Sequence, residues 1–245
     1  MAHVPEHVST LERELRQIFG SRLQSLIAYG LHAASSAKPD RHHGTRTAAR
    51  TQTLTIVESL TADDLKKCAE HLTGWHDAGL ATPLVLAAHE FDRSLDAFPL
   101  EFGAILADHA VVAGRNPFDG LNVDSADIRR ACEVQARSHL LHLREGFIET
   151  RGRADALALL IVRSAAPFAA LLASVARLQG LAIPDAAAAG RHAERTLQLA
   201  PGVVTDVVEL AHVTEISSAE AIRLFPAYLD AVERLVGYVD GWSTR

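Results

Sequence analysis

Apolar residues recur at two different periods along this chain, and the change from one to the other divides it. In residues 9–19, Leu11, Leu15 and Ile18 stand among Glu and Arg at helical spacing, and Gly20 offers a stop. Ser25-Leu26-Ile27-Ala28-Tyr29-Gly30 reads as an apolar strand ending at a glycine. Residues 33–50, with Ser35, Ser36, Pro39 and Gly44, carry loop chemistry. Thr51-Gln52-Thr53-Leu54-Thr55-Ile56-Val57 returns to β-branched residues and predicts a second strand. Thr61, followed by Ala62-Asp63-Asp64, has the form of a helix N-terminus. Leu65, Cys68, Leu72 and Trp75 then share one stripe until Gly79. Residues 81–87 predict a third strand and 89–95 a short helix. Residues 98–106 predict a fourth strand, with Pro99 at its start or on an edge. Residues 109–114 fit neither period.

Beyond the turn-rich Arg115-Asn116-Pro117-Phe118-Asp119-Gly120 the strand signals stop. Ser125 can cap a long helix with Ile128, Cys132, Leu140, Leu143 and Phe147 among its apolar positions. Further helices are predicted over 154–179, 184–197, 201–212 and 217–241, with Pro184 and Pro201 suited to first turns. The fold class is therefore α+β. Residues 1–118 form a mixed sheet with flanking helices, and 119–245 form an all-helical bundle. The apolar run 156–176 is broken by Arg163, Ser164 and Pro167, so it reads as a buried helix pair or a kinked helix rather than a membrane span.

Composition narrows the function classes. A 245-residue chain with 48% hydrophobic and 22% charged residues has the make-up of a globular protein. Aromatics are 5%, so Leu, Val, Ile and Ala must fill the core. A net charge of −6 argues against broad nucleic-acid binding, because phosphate backbones favour basic faces. Cys68 and Cys132, far apart on helical patterns, read as reduced buried thiols in a cytoplasmic protein. The N-terminus has no basic-then-apolar leader pattern, and no membrane association is expected.

The strand ending at Gly30, the strand beginning at Thr51 and the segment Asp96-Ala97-Phe98-Pro99-Leu100-Glu101-Phe102 together resemble the polymerase-β-like nucleotidyltransferase superfamily. The run from Cys132-Glu133 to Leu143-Arg144-Glu145 resembles the first helix of the helical domain that follows this core in bacterial members. In that superfamily the first strand leads into Gly-Ser and the next carries Asp-x-Asp. Here Leu31 follows Gly30, and the aspartate positions fall on Thr51 and Thr53. The resemblance implies metal-dependent nucleotide transfer, in which carboxylates on adjacent strands hold divalent ions. Mg²⁺ takes hard oxygen ligands, and a neutral threonine hydroxyl is a weak one. Losing two carboxylates removes several kilocalories per mole of metal stabilisation, roughly a hundred- to ten-thousand-fold in rate. Glu101 is the match for the third acid, and no Asp-x-Asp, Asp-x-Glu or Glu-x-Glu occurs elsewhere in residues 1–115.

The candidate site is thus Glu101 as the catalytic remnant, with Gly30, Ser35, Ser36, Thr51 and Thr53 as ligand contacts, no assured metal, and Mg²⁺ only if the chain is active. Threonines at alternate positions equally fit the solvent face of a strand. The loop's Lys38, Arg41, His42, His43, Arg46 and Arg50 can meet a phosphate or simply be solvated. His139, His142 and Glu145 share a helix face, as a weak metal-site geometry or as interface residues. No Gly-x-Ser-x-Gly and no phosphate-loop motif is present. Three readings follow: a catalytically degenerate nucleotidyltransferase-fold protein that binds a nucleotide or small molecule, an active divergent enzyme drawing on Glu101, Asp96 or Asp108, and a helical module that pairs with a partner or a second copy.

Overall fold

The computed structural model describes residues 7–31, 50–183 and 185–242. They fall into two units, the first running to Asp124 and the second beginning at Ser125.

In the first unit, helix α1 (His7–Phe19) leads through a 3-10 turn at Gly20–Arg22 into strand β1 (Leu23–Tyr29). Strand β2 (Gln52–Val57), helix α2 (Ala62–Asp77), strand β3 (Leu84–Ala87), helices α3 (Ala88–Ala97) and α4 (Pro99–Ala107), and strand β4 (His109–Gly114) follow. The sheet order is β3-β2-β1-β4. β1 runs antiparallel to both neighbours, and β2 and β3 are parallel, so α2 serves as their crossover.

Register parity decides what each side of the sheet meets. Ala28 faces Thr53 and Leu26 faces Thr55 across the β1–β2 ladder. Leu26 and Val57 belong to a buried cluster with Val8, Leu11, Leu15 and Phe19 of α1 and Cys68 and Trp75 of α2. That side is therefore covered by α1 and α2. Ser25, Ile27 and Tyr29 point the other way, with Ile56, Leu54 and Gln52 beside them.

Local chemistry fixes the helices. Thr61 and Asp64 form a full capping box at α2. The Arg22 guanidinium clasps Asp64 through two 2.8 Å hydrogen bonds and holds its carboxyl well below the usual range. The Trp75 indole donates to Glu14 at 2.6 Å and ties α2 to α1.

Two expectations are corrected here. Residues 98–106 are not a strand: α4 covers Pro99–Ala107. Apart from Glu101 the run is apolar, so it shows no strict alternation that would single out a strand. Its buried residues Pro99, Phe102 and Gly103 instead follow helical spacing, and proline at the first helical position lacks only a hydrogen that would be orphaned anyway. The fourth strand is the stretch that fitted neither period, His109–Gly114.

The second unit is helical throughout. Helix α5 (Ser125–Glu149) and helix α6 (Ala154–Leu178) pack with helix α9 (Ser218–Asp240), while α7 (Ala186–Thr196) and α8 (Thr205–Glu209) pack on each other and on α6. Ion pairs Arg137–Asp240 and Arg144–Glu233, each 2.7 Å, lace α5 to α9. The buried Glu194 carboxylate accepts the backbone N–H groups of Gly202, Val204 and Thr205 at 3.0, 2.9 and 2.7 Å, pinning the turn that precedes α8. By length and composition α6 could cross a membrane. It is one continuous helix rather than a pair. Leu157, Ile161, Ala165, Phe168, Leu172 and Val175 keep one buried face across Pro167, which sits on the exposed side. Both thiols, Cys68 and Cys132, are free and buried.

Candidate functional site

β1 ends where the chain turns at Gly30 with φ +67, a conformation that costs glycine nothing. Its N–H donates to the Asp108 carbonyl at 3.0 Å, joining the end of β1 to the start of β4. A Cβ there would meet no described residue beyond its chain neighbours within 4 Å.

Thr53 of β2 lies on the side covered by α1 and α2, and Thr51 immediately precedes the strand. The Thr51 hydroxyl pairs with His7 Nε2 of α1 at 2.9 Å. Its backbone binds Gly79 and Ala81 beyond α2 at 2.9 Å each. Thr53 is fully buried, as is Thr55, and among the described residues neither hydroxyl has a hydrogen-bond partner. Thr53 and Thr55 face the core under α1 and α2, while Thr51 is half-buried. Glu101 is exposed in the first turn of α4, where a carboxylate suits the positive end of the helix, and is not on a strand. Among the described residues no hydrogen bond or ion pair joins Glu101 to Gly30, Thr51 or Thr53. Ser35, Ser36 and the basic loop positions 38, 41, 42, 43 and 46 lie outside the described residues; Arg50 is exposed.

On the opposite side of the sheet, β4, β1 and β2 bring three polar side chains into one cross-strand row that sequence reading passed over. Tyr29 is the direct partner of His109 on one side and of Gln52 on the other. Gln52 is exposed and the other two are half-buried. Burial raises the Tyr29 phenol above its ordinary value. The usable signal was parity: if Thr51 and Thr53 face one side, Gln52 must face the other.

The sheet itself is without acids. The strands read Leu-Gln-Ser-Leu-Ile-Ala-Tyr, Gln-Thr-Leu-Thr-Ile-Val, Leu-Val-Leu-Ala and His-Ala-Val-Val-Ala-Gly, with no Asp or Glu on either face. Among the described residues no group of three or more His, Cys, Asp and Glu could hold a metal ion. The residues present therefore do not fit the pair of Mg²⁺ ions that the resemblance implied.

In the helical unit His139 turns inward while His142 and Glu145 stay exposed. His139 Nε2 lies 2.7 Å from the Tyr228 hydroxyl, which donates to Ser164 at 3.0 Å, which donates to the Ile161 carbonyl at 2.9 Å. Since the tyrosine proton is spent on Ser164, its oxygen accepts and the histidine carries hydrogen on Nε2. Its ring stacks on Phe168 at 5.2 Å. Burial, reinforced by His142, pushes the imidazole down to about 4. A residue kept neutral in this way fills the core of the bundle, and it is not brought together with the other two as a ligand set.

No protein-family model matches the chain, and no curated protein matches it in sequence. Among solved structures it is similar to spectinomycin adenyltransferase AAD(9) from Enterococcus faecialis, crystallised with ATP and spectinomycin. The TM-score is 0.58 at 10% identity, over 94% of this chain and 98% of that one. At that identity the likeness is one of fold: a nucleotidyltransferase-like α+β core with a helical domain after it.

Proposed function

We propose that this chain is a nucleotidyltransferase-fold protein that has lost metal-dependent transfer and keeps its scaffold for binding a small ligand. One observation carries the reading: four strands with no carboxylate on either face. Moving the expected aspartate positions by one residue does not rescue them, because they then fall on Gln52 and Leu54. Anionic oxygens offset the cost of partly dehydrating Mg²⁺, and neutral side chains do not. Glu101, exposed on α4, cannot supply a two-metal site alone. The two free, buried thiols suit a reducing compartment, and we place the chain in the cytoplasm.

The test is pyrophosphate release from each of the four nucleoside triphosphates with Mg²⁺ or Mn²⁺, in the presence of hydroxyl-bearing acceptors including spectinomycin. The expected result is no release above the protein-free rate. Release that Glu101→Ala abolishes would sink the reading in favour of an active, divergent enzyme.

A second reading, as a helical interaction module, is favoured by one feature of α5. Val134, Leu141 and Ile148 recur every seven residues and are 65%, 56% and 73% exposed. Sedimentation velocity separates the two: a concentration-dependent dimer that Leu141→Glu dissolves supports the module, and a monomer at all concentrations removes self-pairing.

A further inference from the structure

The row His109, Tyr29 and Gln52 has the makings of a binding surface of its own. Direct cross-strand partners project from the same face, and two strand spacings set the outer members roughly 10 Å apart. His109 is held in place twice. Its Nδ1–H donates to the Leu106 carbonyl at 3.2 Å, and its ring packs on Phe118 with centroids 4.9 Å apart. With the proton on Nδ1, Nε2 is left as a fixed acceptor. Among the described residues the Tyr29 hydroxyl and the Gln52 amide make no hydrogen bond. Among the described residues other than its chain neighbours, none lies within 4 Å of where a Cβ on Gly30 would stand. The next row on this face, Val111, Ile27 and Leu54, is apolar.

We infer that this row binds a planar, uncharged nitrogen heterocycle with a donor and an acceptor on one edge, without a metal ion; the adenine ring is the test case. The inference rests on the reading above, that the sheet has no acids for metal. Each member has a role set by its chemistry. The Tyr29 ring offers a flat face for stacking. The Gln52 amide presents a carbonyl and an NH₂ side by side, the complement of an amino group next to a ring nitrogen, as on adenine. The bare Nε2 of His109 accepts one further hydrogen bond. None of the three bears a fixed charge. The site therefore selects against ligands whose binding depends on a metal-bridged phosphate, and its affinity is insensitive to chelator and weakly dependent on salt.

The experiment is a calorimetric titration of the full chain with adenosine in EDTA, repeated with inosine, which replaces the amino donor by an oxygen. Parallel titrations use Gln52→Leu and Tyr29→Leu, with a thermal melt of each chain. Gln52 is exposed, so its variant folds as the parent does. Saturable binding in EDTA that falls at least tenfold with inosine and with Gln52→Leu supports the site. No binding by the folded parent, or binding unchanged in both variants, overturns it and leaves the loss of transfer standing. Binding of ATP that appears only with Mg²⁺ and is accompanied by pyrophosphate release overturns both.

Discussion

Acidification is the sharpest probe of the helical unit, because one buried histidine there must stay neutral. His139 sits between Phe168 and Tyr228, donates from Nε2 to the tyrosine oxygen, and has its imidazole pushed from 6.5 down to about 4. The unfolded chain takes up the proton near 6.5 and the folded chain does not until about 4. Stability from this group is thus complete above 6.5 and is lost as pH falls through that window. At pH 4.5 the unfolded histidine is almost wholly protonated and the folded one only partly, a difference of about 2.5 kcal/mol. His139→Gln keeps a donor for Tyr228 but cannot titrate. Urea unfolding of both chains at pH 7 and pH 4.5 isolates the term, since every carboxylate contributes to both alike. The parent should lose about 2.5 kcal/mol more than the variant. A nuclear magnetic resonance titration that places His139 at 6 or above, or equal losses in the two chains, would refute the reasoning.

Other substitutions read other parts of the structure. Thr53→Val and Thr55→Val each replace an orphaned, buried hydroxyl by a methyl of the same size, and each should raise unfolding stability by about 1 kcal/mol in urea titration. Glu194→Ala strands three backbone N–H groups before α8 and should cost about 2–4 kcal/mol, seen as a lower melting temperature of the helical unit. Gly114→Ala combines φ +77 with a methyl placed 1.9 Å from the Gln24 carbonyl oxygen, and should lower stability by at least about 3 kcal/mol. Gly30→Ala has a similar φ but meets no described residue beyond its chain neighbours within 4 Å, and should cost only about 1 kcal/mol in the same urea assay.

The helices were legible because their ends carry chemistry of their own. Thr61, followed by Asp63 and Asp64, announces itself locally and holds in the structure as the capping box of α2. The residues 98–106 defeated the pattern because a short run that is apolar but for Glu101 cannot separate a period of 2 from one of 3.6, and Pro99 fits the start of either element. Strand β4 hid behind weak alternation, its pairing being decided by β1 some 80 residues earlier. The candidate site was half-legible. That the acids were missing could be read from residue identities alone. Which way Thr51 and Thr53 pointed could not, because a strand's parity is set by what covers it, and α1 covers the threonine side through Leu11 and Leu15. Thr51 and Thr53 were read as ligand contacts from their place in the resemblance alone, and Tyr29, Gln52 and His109, on the opposite parity, were overlooked for the same reason.

The sheet order also sets a timetable. β1 is an inner strand, yet one of its two neighbours is β4, and Tyr29 pairs with His109 across 80 residues. At a synthesis rate of about 5–20 residues per second, β1 waits about 4–16 s after leaving the ribosome for that partner. Until then Leu26, Ile27 and Ala28, all fully buried in the finished fold, lie along an open hydrogen-bonding edge. The moment of greatest risk for this protein therefore falls during its own translation, and slowing the ribosome between residues 57 and 109 should aggregate the nascent chain more than any stress applied once β4 has closed the sheet.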